Sequence, residues 1–207
     1  MKHVVTNHHL KMLHGALKLN KSQWERLNSE IEGTNGKHPA DLEAQRTQTH
    51  VVIILLSCCF IEGLANYYIS SKCAKEQFKL LERQSILDKW TIVPSLFVKD
   101  YELPKVENDD LKLLVGIRNR LTHSKPKVTI NAQVVHGGYL ALRLPLSPEK
   151  SLSLPVRLIK HLCLHDFAAG YDLCVVSGLD PKVCEVIVSE VRDNSRKKLT
   201  ATKGNAS

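Results

Sequence analysis

The run VVIILLSCCFI, Val51–Ile61, places eleven consecutive uncharged, mostly apolar residues near the middle of a chain of 207. A segment this oily must be buried, and eleven residues fall well short of the ~20 needed to span a bilayer. It then meets Glu62, Asn66 and Ser70 at four-residue spacing, which gives a helix one polar stripe on an otherwise apolar surface. The stretch is therefore expected to be a buried core helix, and no membrane partner is expected. A protein built around such a helix has to cover it with others, so the predicted fold class is all-α, mainly a helical bundle. Composition agrees: aromatic residues are 5% while hydrophobic residues reach 43%, a balance that suits packed helices rather than a sandwich of short aromatic strands.

Helical periodicity predicts two helices in residues 1–40, around HHLKMLHGALKLN and KSQWERLNSEIEG, the second entered at Ser22 and stopped by Gly33. This segment reads as an N-terminal helical extension. Asp41 can cap the long oily helix, predicted to run to about Ser71, and a further helix is expected across AKEQFKLLERQSILDKW. Two prolines make TIVPSLFVKDYELPKVEND an ordered loop, and the next helix is expected from Asp109 or Asp110 to about His123, before Pro126. Alternation around His136-Gly137-Gly138 predicts a small β-hairpin insertion at about 127–145. A long apolar stretch from Leu152 to about Val176 and a helix starting near Pro181 complete a domain spanning 41–195, and the basic 196–207 reads as a tail.

The six cysteines form no C-x-x-C pair, and at least five lie in apolar helical patterns, as free thiols do in a reducing cytosol. No secretory leader pattern opens the chain, so a cytoplasmic protein is expected. A net charge of +8 would attract polyanions such as RNA. No P-loop, G-x-S-x-G or zinc-ribbon pattern occurs. His161 and His165, four apart beside Asp166, lack the Glu of H-E-x-x-H and read as an ordinary helix face. No metal and no cofactor is expected.

The segment LLVGIRNRLTHSKP, Leu113–Pro126, carries the chemistry. On a helical wheel Leu111, Leu113, Leu114, Val115, Ile117 and Leu121 form one apolar arc, and Arg118 falls inside it. Asn119 and His123 lie together on its edge. A guanidinium in such a place is costly unless an anion meets it. Two readings stand open: a buried ion pair with Glu62 that fixes helix register, or a phosphate site in which Arg118 binds bidentately and His123, at the helix C-terminus, transfers a proton.

The motif R-N-x-x-x-H at Arg118, Asn119 and His123, following the oily helix and LDKWTIVPSLF, resembles the signature of the HEPN superfamily over Thr49 to Asn194. The resemblance implies a HEPN-like up-and-down helical domain acting as a metal-independent endoribonuclease, with two protomers packed side by side and their motifs converging on one RNA-binding cleft. By the same resemblance Arg118 and His123 would be the catalytic pair and Asn119 their polar support. Arg120 and Lys125 would touch substrate phosphates, and Glu62 and Asn66 would support from the facing helix. A toxin or defence role with a regulatory antitoxin belongs to that expectation. One HEPN toxin group places a tyrosine two residues past the histidine, where this chain has Lys125. Other HEPN domains serve as inactive dimerisation or RNA-binding modules, which is the alternative expectation.

Overall fold

A computed structural model describes residues 5–34, 40–123, 132–135, 139–142 and 144–185. The chain is mainly helical: α1 (Val5–Glu32), α2 (Ala40–Lys72), α3 (Lys75–Leu81), α4 (Ile86–Thr91), a 3-10 turn (Pro94–Leu96), α5 (Lys105–Thr122), α6 (Pro148–His165) and α7 (Phe167–Ser177). Two short strands, β1 (Ala132–Val135) and β2 (Tyr139–Leu142), pair antiparallel with Ala132 opposite Leu142. The glycine turn expected between them, 136–138, lies outside the described residues, as does the expected tail 196–207.

The apolar run forms the axis of the fold. Within α2, Ile53, Ile54, Cys58, Phe60, Ile61, Leu64, Ala65, Tyr68 and Ile69 are all buried. By length and composition α2 could cross a membrane, yet most of its apolar window is covered by the other helices of the chain. Leu10 and Leu17 of α1, Leu111, Leu114 and Ile117 of α5, and Leu154, Leu158, Ile159 and Leu162 of α6 belong to the same core.

Helix boundaries depart from the sequence expectations at several points, each for a local reason. Val5–Glu32 is one continuous helix of 28 residues where two were expected. No glycine or proline interrupts Asn20–Ser22, and the Asn20 side chain donates back to the Ala16 carbonyl at 2.9 Å instead of capping a new start. The stretch 74–90 is two helices, because Ser85 adopts an extended backbone and its hydroxyl accepts the Asp88 amide at 3.1 Å, opening α4. Helix α5 begins at Lys105, ahead of the expected Asp109, after Pro104 with φ −57° and ψ 146°. The stretch Leu152–Val176 is broken at Asp166, which closes α6 and caps α7 by accepting the Ala169 amide at 3.2 Å.

The expectation that at least five cysteines are free thiols is also corrected, since only Cys58, Cys59, Cys73 and Cys174 are free. Cys163 of α6 and Cys184, 21 residues later, join in a disulfide with Cα atoms 5.9 Å apart. Cys174 of α7 stands beside it, its sulfur 3.6 Å from that of Cys184. No C-x-x-C spacing foretells this, since the chain reverses twice between the two residues, at Asp166 after α6 and at Gly178 (φ 74°) after α7.

Candidate active site at the α2–α4–α5 junction

Helices α2, α4 and α5 pack against one another pairwise. Trp90 of α4 fixes the first two by donating its indole N–H to the Ile61 carbonyl at 3.1 Å, with the ring buried. One turn of chain around that anchor brings together Glu62 of α2, Lys89 of α4 and Arg118 of α5.

The Glu62 carboxylate is shared unequally. Its Oε1 accepts from the Lys89 ammonium at 3.2 Å, while Oε2 lies 4.0 Å from the Arg118 guanidinium. Lys89 is 1% exposed and Arg118 28%. The acid thus neutralises a cation that has no access to solvent, and Arg118 keeps a face open. Lys89 was not foreseen. The signal was present, because Ile86, Lys89, Trp90 and Val93 form an i, i+3, i+4, i+7 stripe, and a cation within it calls for the same scrutiny as Arg118.

Beneath Arg118, Cys58 donates its thiol weakly to the Leu114 carbonyl at 3.7 Å. Burial pushes the Cys58 thiol up to about 12, against the pull of the Arg118 guanidinium. It is a neutral wall of the site and not a nucleophile. Asn66 lies one turn past Glu62, and its buried Oδ1 has no hydrogen-bond partner among the described residues.

The rest of the motif is at the open end of α5. Asn119, Arg120 and His123 are exposed. The Asn119 carbonyl accepts the His123 amide at 2.9 Å, and the Arg118 carbonyl accepts the Thr122 hydroxyl at 2.9 Å, so the last turn is closed as His123 leaves helical geometry at φ −119° and ψ 54°. The structure therefore brings Arg118 to Glu62 and leaves Asn119, Arg120 and His123 facing outward on the same turn. Among the described residues no hydrogen bond joins the Arg118 side chain to His123 or Asn119. Lys125 lies outside the described residues.

Such an arrangement can bind an anion: one guanidinium with an open face, an acid held back by a deeper lysine, and exposed imidazole and amide groups at the adjoining helix end. The chain matches no family model, no curated protein and no solved structure.

Elsewhere, His161 and His165 have ring centroids 4.9 Å apart and both lie against Tyr101. Among the described residues no three His, Cys, Asp or Glu side chains gather as a metal site.

Proposed function

We propose that the chain is a HEPN-like, metal-independent endoribonuclease that works as a homodimer. The observation carrying this reading is the incomplete pairing of Arg118. Its 4.0 Å distance to Glu62 is at the limit of an ion pair, whereas Lys89 takes the same carboxylate at 3.2 Å. An arginine kept only to fix helix register would hold the shorter contact.

In this reading the substrate is RNA and the reaction is an internal transfer at phosphorus. The 2′-oxygen attacks the adjacent phosphorus, the bond from phosphorus to the 5′-oxygen breaks, and the products are a 2′,3′-cyclic phosphate and a 5′-hydroxyl. His123 moves the proton between the 2′-hydroxyl and the leaving oxygen, directly or in two steps. Arg118 holds the phosphate and stabilises the charge that builds on its oxygens, which is usually the largest single contribution. Glu62, fixed by Lys89, orients the guanidinium. Asn119, Arg120 and Lys125 contact the substrate, and an antitoxin or other regulator would act by covering this helix end.

Incubating purified protein with RNA in excess chelator, and inspecting fragment ends, tests the reading. Fragments ending in cyclic phosphate that vanish with Arg118→Ala and with His123→Ala are expected. Cleavage untouched by both substitutions would overturn it. Among the described residues no hydrogen bond joins the Arg118 side chain to His123, which favours a second reading, an inactive HEPN-type dimerisation or RNA-binding module, for which RNA is retained but uncut.

A further inference from the structure

Phe60 and Glu62 are two residues apart on α2, and at about 100° per residue they look out from nearly opposite sides of it. On the Phe60 side a groove of about 480 Å³ opens between α1 and α6. That volume falls within the range of roughly 300–1,000 Å³ typical of small-molecule sites. Leu17, Phe60, Leu152 and Pro155 give it an apolar floor, and Trp24 forms one wall. The Pro155 ring adds hydrocarbon to that surface. His14 extends the floor by stacking on Phe60, with ring centroids 5.7 Å apart and planes 11° from parallel.

The charges are confined to the rim and are not equivalent. Lys21 is engaged by Glu25 at 3.7 Å. Glu149 accepts the Trp24 indole N–H at 2.9 Å, a neutral donor that orients the carboxylate and leaves its charge in place. Lys18 is exposed, one helical turn after His14, and among the described residues no carboxylate comes within ion-pairing distance of it. An apolar trough with one uncommitted ammonium at its lip matches a molecule that is hydrocarbon along its length and anionic at one end.

We propose that this groove is a binding site for a single-chain aliphatic carboxylate, with the hydrocarbon on Leu17, Phe60 and Pro155 and the carboxylate at Lys18. The site is independent of the Arg118 junction and of any nuclease activity. Trp24 supplies its own reporter, while Trp90, buried and bonded to the Ile61 carbonyl, gives a constant background.

Titrating the full chain with decanoate should produce a saturable change in tryptophan fluorescence. Decanol, with the same chain and no charge, should bind roughly tenfold more weakly, and Lys18→Ala should raise the Kd for decanoate by a similar factor. Ser153→Phe, at an exposed position lining the groove, should abolish the signal by filling it, and Arg118→Ala should leave binding unchanged. Circular dichroism checks that each variant is folded. The proposal is overturned if decanoate gives no saturable change, or if decanol binds as well as decanoate and Lys18→Ala has no effect. Should Ser153→Phe fail to fold, those two arms still decide.

Discussion

The ammonium of Lys89 is buried to 1% exposure and finds its counter-charge in Glu62 Oε1, 3.2 Å away on another helix. A lysine in that position cannot reach water, so its free energy depends on that one acid. Removing the acid strands a buried cation, which costs more than the pair itself contributes.

With Glu62 itself 39% exposed, water can partly replace it, so Glu62→Gln is expected to destabilise the protein by about 1–2 kcal/mol, less than a fully buried pair would cost, whereas Lys89→Met, which removes the buried charge and keeps most of the volume, should cost about 1 kcal/mol or less. Urea denaturation of both variants and of the double mutant checks this. If Lys89→Met proved the more damaging, Glu62 would not be acting as the ammonium's counter-ion.

Arg118→Ala should behave in the opposite way. With a half-open guanidinium and a carboxylate at 4.0 Å, its structural contribution is at most about 1 kcal/mol. Cleavage of RNA, by contrast, should drop by at least ~100-fold if the guanidinium stabilises charge at phosphorus. Thermal melting and a gel assay on the same preparation separate the two effects. Unfolding of the variant would return Arg118 to a purely structural role.

Stability should fall on mild acidification. Burial holds His14, His50 and His161 below the ordinary 6.5, with Lys18 adding to the effect at His14 and His165 at His161, and with the Leu146 carbonyl opposing it at His50. A histidine of this kind binds its proton more readily in the unfolded chain. The contribution is thus intact above about pH 7 and is lost as the pH drops through 6.5 toward the lower folded values. Melting temperature should decline between about pH 7 and pH 5, and His161→Leu should flatten the curve. A melting temperature that rises over that interval would contradict the burial assigned to these rings.

Reduction offers a further check. A bond between Cys163 and Cys184 closes a loop of 21 residues, and on the chain-entropy account such a loop stabilises by up to about 3 kcal/mol. Peptide mapping without reductant should recover the Cys163–Cys184 pair, and dithiothreitol should lower the melting temperature by several degrees. Recovery of Cys174 joined to either partner instead would show that the third sulfur takes part in the pairing.

Trp24 spans α1 and α6 through its 2.9 Å hydrogen bond to Glu149. Its ring also faces His50 of α2 at 5.4 Å and carries Arg46 over its face at 5.9 Å. Trp24→Phe should cost about 1 kcal/mol, for the lost hydrogen bond and weaker cation contact. Calorimetry at neutral pH measures it.

The sequence by itself determined the helical character of the chain and the central role of Val51–Ile61, because a run of that polarity has to be buried and only other helices were available to bury it. It also marked Arg118 and Glu62 as misfits in apolar helices, since the penalty for burying a charge is legible wherever a charge interrupts a periodic stripe. Helix ends were less legible. Ser85 and Asp166 break helices because their side chains reach particular amides, a local competition that periodicity does not register.

Tertiary structure alone decided how Glu62 is shared. Which of two cations reaches a carboxylate depends on how α4 and α5 cross α2, and a distance of 3.2 Å against 4.0 Å is set by that packing rather than by spacing along the chain. The same holds for Cys163 and Cys184, and for the groove between α1 and α6. Each is made by residues far apart in sequence, and their approach is fixed only when the whole core closes.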